Sequence, residues 1–167
     1  MQLMRAEKVG IMRRTISALA LLVSLVACKQ QESAKAPSET LSITDAVIRL
    51  APIESRPAAA YFVIHGGKTP DRLTAVSSSS ATRIELHESM MQGGMMSMKP
   101  LAGADVPAGG QLAFKPGGNH AMVFGIDPAV KPGTSIPLHF TFQSGATIDA
   151  DAKTLAAGDD MSMEMHH

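Results

Sequence analysis

A single cysteine, no tryptophan, one tyrosine and no excess of either charge are the first constraints this 167-residue chain imposes, with fifteen Lys+Arg against fifteen Asp+Glu. One cysteine cannot close an intrachain disulfide, form a CxxC redox pair or supply the thiolates of a zinc or iron–sulfur site. The balanced charge leaves no electrostatic footprint for nucleic acid. No nucleophile–base pair, no paired carboxylates and no phosphate-binding loop can be read in the sequence, so an enzyme is not expected. What is present is 45% apolar residues, enough for one domain with a buried core, together with twelve methionines and six histidines.

The cysteine belongs to the leader. Arg5, Lys8, Arg13 and Arg14 precede an apolar run over 16–27 that ends Leu25-Val26-Ala27-Cys28. A basic stretch, a short apolar core and small residues before a boundary read as an export signal over 1–27, too short for a comfortable membrane span. Met12-Arg13-Arg14 makes a compact basic region by itself, so either Met1 or Met12 suits as the start. The last four residues of the run resemble a bacterial lipobox, which implies lipid on Cys28 and an anchor in the membrane. Lys29 follows the cysteine, and by resemblance to sorted lipoproteins this leans to the outer rather than the inner membrane of the envelope. Removing 1–27 takes away four basic residues and one acidic residue, leaving a mature chain of net charge −3. Residues 28–40 are then a polar, proline-containing tether, which at about 3.3 Å per residue reaches about 40 Å from the membrane surface.

From 41 to 153 short β-rich runs alternate with Gly/Pro turns, and no segment sustains a helical period. Strands are expected at 43–50, 59–65, 71–76, 82–87, 111–115, 121–126, 136–142 and 146–152. In 136–142, Ile136, Leu138, Phe140 and Phe142 alternate with Pro137, His139 and Thr141, the period of a half-buried strand. This pattern favours an all-β fold, an antiparallel sandwich or barrel. His65 and His139 read as surface residues. Residues 154–167 have the composition of a flexible tail.

Nine methionines lie beyond the leader, in two clusters: Met90, Met91, Met95, Met96, Met98 and Met122, and then Met161, Met163 and Met165. Their absence from 43–86 and 136–152, where a gap-filling core methionine would sit, sets them apart. His120 and Met122, two apart on an expected strand, leave one face. His87 ends another strand, and the Gly93-Gly94 turn can fold Met98 back beside it. Thioether sulfur binds hard cations poorly and is not a ligand zinc prefers, which points to Cu(I). A blue-copper electron carrier needs a thiolate beside its histidines, which this body lacks. Packing, or an adaptable protein-binding surface, remains the other reading of such methionines.

The intervals His87-x₁₀-Met98-x₂₁-His120-x-Met122 reproduce the signature of the PCu(A)C periplasmic copper chaperones, and the text around them (AVIRLAP 46–52, AAAYF 58–62, ELHE 85–88, KPGGNHAM 115–122) is similar to that family too. The resemblance covers about 43–151. It implies a cupredoxin-like Greek-key β-sandwich, Cu(I) held by His87, Met98, His120 and Met122 at an exposed edge, and delivery of copper toward cytochrome c oxidase, at the dinuclear centre of subunit II or through a Sco-type partner. Where many members carry a further Met two residues after the first His, this chain has Ser89; Met90 or Met91 is the candidate auxiliary ligand. The tail, with Met161, Met163, Met165, His166 and His167, is read as a second, flexible copper site. The alternative to delivery is a lipoprotein that sequesters copper on the periplasmic side of the envelope and protects it.

Overall fold

The computed structural model describes residues 40–53 and 55–159. The calls on Cys28, on the tether before residue 40 and on Met161, Met163, Met165, His166 and His167 lie outside the described residues.

The alternation in the sequence becomes ten strands: β1 (Ser42–Arg49), β2 (Ala58–His65), β3 (Asp71–Ser77), β4 (Ala81–Gln92), β5 (Met95–Pro100), β6 (Ala104–Val106), β7 (Gln111–Phe114), β8 (Asn119–Ile126), β9 (Ser135–Phe142) and β10 (Thr147–Leu155). In β9 the period of two is realised directly, with Ile136, Leu138, Phe140 and Phe142 all buried. The hydrogen-bonded order is β5-β4-β8-β2-β1-β10-β9-β3-β6, with β7 paired to β2 off this path. Every ladder is antiparallel except β1 with β10. The first half of β2 pairs with β8 and its second half with β7, so the sheet folds over on itself into two layers. Between the layers Phe62 of β2 stacks on Phe114 of β7 with centroids 4.4 Å apart and meets Phe140 of β9 edge-on at 4.8 Å.

Two differences from the sequence reading concern the site. The expected strand ending at His87 runs on to Gln92, and MMQGGMMSM, which lies outside every expected strand, is the tip of a β-hairpin. Gly93 and Gly94 take φ of 59° and 81°, the two successive positive values that a tight type I′ hairpin turn requires. β5 has no β-branched residue and every one of its side chains is exposed, so no burial pattern marks it as a strand; its pairing with β4 makes it one. β6, three residues long, was likewise not anticipated.

Candidate metal centre

A strand's two faces do different work here. In β4 and β8, Ile84, Leu86, Ala121 and Val123 point into the core. The alternate residues point outward, and the register aligns them: Glu85 lies opposite Met122, His87 opposite His120, Ser89 opposite Met98 and Met91 opposite Met96. The outer face of three neighbouring strands therefore carries both histidines and both methionines of the spaced motif. The His87 and His120 rings are 5.9 Å apart between centroids and tilted by 34°. Met98, His120 and Met122 line one cavity of about 280 Å³ with Ser89, Tyr61 and the Pro116-Gly117 turn. His87 is not in that lining; it flanks the cavity through His120.

The turn from β7 into β8 positions His120. Gly117 has a φ of +77°, and Lys115 closes the turn by donating its N–H to the carbonyl of Asn119 at 2.7 Å. This aims the Gly118 carbonyl at the site, where it accepts from the backbone N–H of Ser89 and from Nδ1 of His120, both at 3.1 Å. Because a carbonyl can only accept, Nδ1 of His120 carries the proton and Nε2 keeps its lone pair. His120 is 7% exposed.

His87 is oriented from the other side. Its Nε2 donates to the Glu85 carboxylate at 3.3 Å, Glu85 accepts from Nε of Arg83 at 2.8 Å, and the Arg83 guanidinium lies over the Phe124 ring, 4.1 Å from its centroid. The Arg83 bond, and after it the His87 bond, hold the Glu85 carboxyl below its ordinary range, so it is ionised at neutral pH. The consequence for His87 is a lone pair on Nδ1, an atom that is buried and has no hydrogen-bond partner. A buried lone pair without a partner is costly unless something electrophilic occupies it.

The walls are apolar. Val47, Tyr61 and Leu155 pack with Ala59 as a small cluster on the same outer face, apart from the main core. Burial raises the Tyr61 hydroxyl above its ordinary range, against a smaller lowering by Arg49, so the wall it forms is neutral. Among the described residues no group of three His, Cys, Asp or Glu could cage an ion. The donor set is thus two imidazole nitrogens and two thioethers, chemistry for a soft monovalent ion rather than for calcium, magnesium or zinc. Two larger hollows, around Arg56 and Lys131 and around Arg72 and Asp105, are lined by no histidine or methionine.

The register also separates the auxiliary candidates: Met91 shares the site's face, whereas Met90, opposite Ser97, lies on the other. His139 pairs with Asp149 at 2.6 Å on β9, well away from β8 in sheet order, and His65, held by Thr44 and Gln111, lies at the end of β2 that pairs with β7 rather than with β8. Sequence reasoning missed Arg83, Glu85 and the Gly118 carbonyl. Glu85 stands two residues before His87 on an expected strand, and that parity was the available signal.

The family model described as "Putative lipoprotein LpqE-like" matches residues 41–154. "Putative lipoprotein Lxx21020" of Leifsonia xyli subsp. xyli is 32% identical over 76 residues, 45% of this chain and 46% of that one, so the match spans about half the length of this curated relative. Among solved structures, a copper-bound PCuAC domain from PmoF2 is 19% identical with a TM-score of 0.58, covering 70% of this chain and 92% of that one. CuI-DR1885 from Deinococcus radiodurans is 25% identical with a TM-score of 0.55, covering 76% of this chain and 85% of that one.

Proposed function

This chain belongs to the LpqE-like lipoprotein family and has the cupredoxin-like β-sandwich of PCuAC domains, and from that premise we propose that it is a Cu(I) carrier of the bacterial envelope, not an enzyme. The observation that carries the reading is the outer face of β4, β5 and β8, where two histidines and two methionines meet without a carboxylate cage. Copper is the cargo. Nδ1 of His87, Nε2 of His120 and the sulfurs of Met98 and Met122 are its ligands, and the lone pair that Glu85 leaves unpartnered on His87 is the atom most in need of it. Copper-bound relatives of the same fold support this choice of ion.

Transfer follows from unequal exposure. Met98 is 58% exposed on the edge strand, while His120 is buried and Met122 is half-buried. An acceptor's soft ligand displaces Met98 first, and the imidazoles release last, so the ion passes between proteins without entering solution. Thioethers do not form disulfides, which suits an oxidising compartment. Lipid on Cys28 tethers the carrier, in the outer membrane by the Lys29 rule, on the periplasmic side.

Replacing Met98 and Met122 together by leucine is the direct test: competition titration with a Cu(I) chelator gives a large loss of affinity, and an unchanged affinity overturns the ligand assignment. We assign the acceptor as the oxidase, through subunit II or a Sco-type protein. Deleting the gene then lowers oxidase activity at limiting copper. Sensitivity to excess copper with normal oxidase activity instead identifies the sequestering lipoprotein, a reading that an outer-membrane anchor favours.

A further inference from the structure

The β4–β5 hairpin carries five exposed methionines, of which Met98 is spoken for: Met90 is 40%, Met91 67%, Met95 74% and Met96 62% exposed. They are not equivalent. Leu101 donates its N–H to the Leu86 carbonyl across the two strands, so even-numbered residues of β4 form the hydrogen-bonded pairs with β5 and odd-numbered ones the closer, non-hydrogen-bonded pairs. Met91 and Met96 are one of these close pairs, with Cα atoms about 4.5 Å apart, on the face that holds the His/Met site. Two residues inward, about 7 Å along the strand, comes the next close pair, Ser89 and Met98. Met90 and Met95 leave by the opposite face, where their cross-strand partners are Ser97 and Gln92.

We infer that Met91 and Met96, sharing Met98, form an outer Cu(I) site at the hairpin tip that captures the ion and hands it inward to His120, Met122 and His87. This rests on the copper reading of the inner site and adds a second place on the same path. Three neutral thioethers suit a soft monovalent ion and bind it more loosely than a set that includes two imidazoles, so exchange runs inward. Met98, common to both sets, lets the ion change sites by swapping ligands one at a time. Unbranched methionine side chains on a solvent-exposed two-stranded arm have the torsional freedom this needs. An apolar contact for a partner does not call for sulfur on Met91 and Met96, and that difference makes the inference testable.

The test uses the full mature chain with ¹³C-methyl methionine, titrated anaerobically with Cu(I), beside a Met91→Leu/Met96→Leu variant. Leucine keeps the apolar volume at exposed positions, so the variant folds. Expected are shifts of the Met98 and Met122 methyls with the first equivalent and of the Met91 and Met96 methyls with the second, which these two thioethers hold more weakly because Met98 is then engaged at the inner site. In the variant the Met98 and Met122 methyls still shift with the first equivalent, while loading from a Cu(I)-chelator complex slows. Met91 and Met96 methyls that stay unmoved through two equivalents, or variant loading at the wild-type rate, overturn the outer site and leave these side chains to a protein contact. Failure of the copper reading looks different: Met98 and Met122 do not respond in the wild type.

Discussion

Glu85 shows at the scale of one residue how the proposed carrier site is built from more than its ligands. Its carboxylate, fixed by Arg83, selects the His87 tautomer that leaves Nδ1 open. Glu85→Gln keeps the size but lets the amide present either end to the imidazole, so the tautomer is no longer imposed. Loss of such an orienting partner typically lowers metal affinity about 10- to 100-fold, and competition titration at neutral pH is the measurement; an unchanged affinity removes Glu85 from the site. The Glu85 carboxyl is lowered in the folded state, so its contribution to stability is complete above its ordinary range near about 4.3 and is lost as pH falls through the lowered range. The affinity advantage of wild type over Glu85→Gln is therefore expected to be complete at neutral pH and to disappear as pH falls through that lowered range, where the carboxyl takes up its proton. The spaced residues His87, Met98, His120 and Met122 were legible because their intervals are a property of the chain. Arg83, Glu85 and the Gly118 carbonyl act through cross-strand register, which the chain alone does not display.

The β4–β5 hairpin is the element on which both proposed copper places depend, and its register depends on two glycines. A Cβ on Gly94 would meet nothing within 4 Å, so the cost of a side chain there is purely the positive φ of 81°. For a β-branched residue that cost is about 1–2 kcal/mol. Because all six residues of β5 are exposed, the core does not feel the change. Gly94→Val is thus expected to open the hairpin tip locally and lower the thermal midpoint by a few degrees at most, while lowering Cu(I) affinity because Met98 no longer sits opposite Ser89. Gly93→Asn, a residue tolerated at positive φ in such turns, is the control that keeps affinity. A large drop in the midpoint with Gly94→Val would mean that the hairpin supports the fold. The Gly-Gly pair was visible in the sequence as a turn, yet MMSMKP has no alternation and no β-branched residue, so the strand after the turn could not be read from its own composition.

Over the whole molecule the two faces of one sheet divide the labour: Phe62, Phe114 and Phe140 fill the interior, and the His/Met site stands on the outside of β4, β5 and β8 with its own small apolar support of Val47, Tyr61 and Leu155. The period of two and the recurrent Gly/Pro turns made the all-β class legible. The parallel pairing of β1 with β10 and the division of β2 between β7 and β8 were not, because they join segments far apart in the chain. This separation of faces predicts independence. Phe62→Leu opens space beside two rings and costs about 1–3 kcal/mol, lowering the thermal midpoint. Saturating Cu(I) binds the folded chain and stabilises it by RT ln(1 + [L]/Kd), about 2.7 kcal/mol at a hundredfold excess over Kd. If core and site are uncoupled, copper adds the same free energy to wild type and variant, and the two effects sum. Denaturant unfolding of both proteins with and without Cu(I) checks this. A copper increment that shrinks in Phe62→Leu would show that the packing beneath β2 and β8 sets the geometry of His120 and Met122, and would make the sandwich interior part of the carrier's affinity.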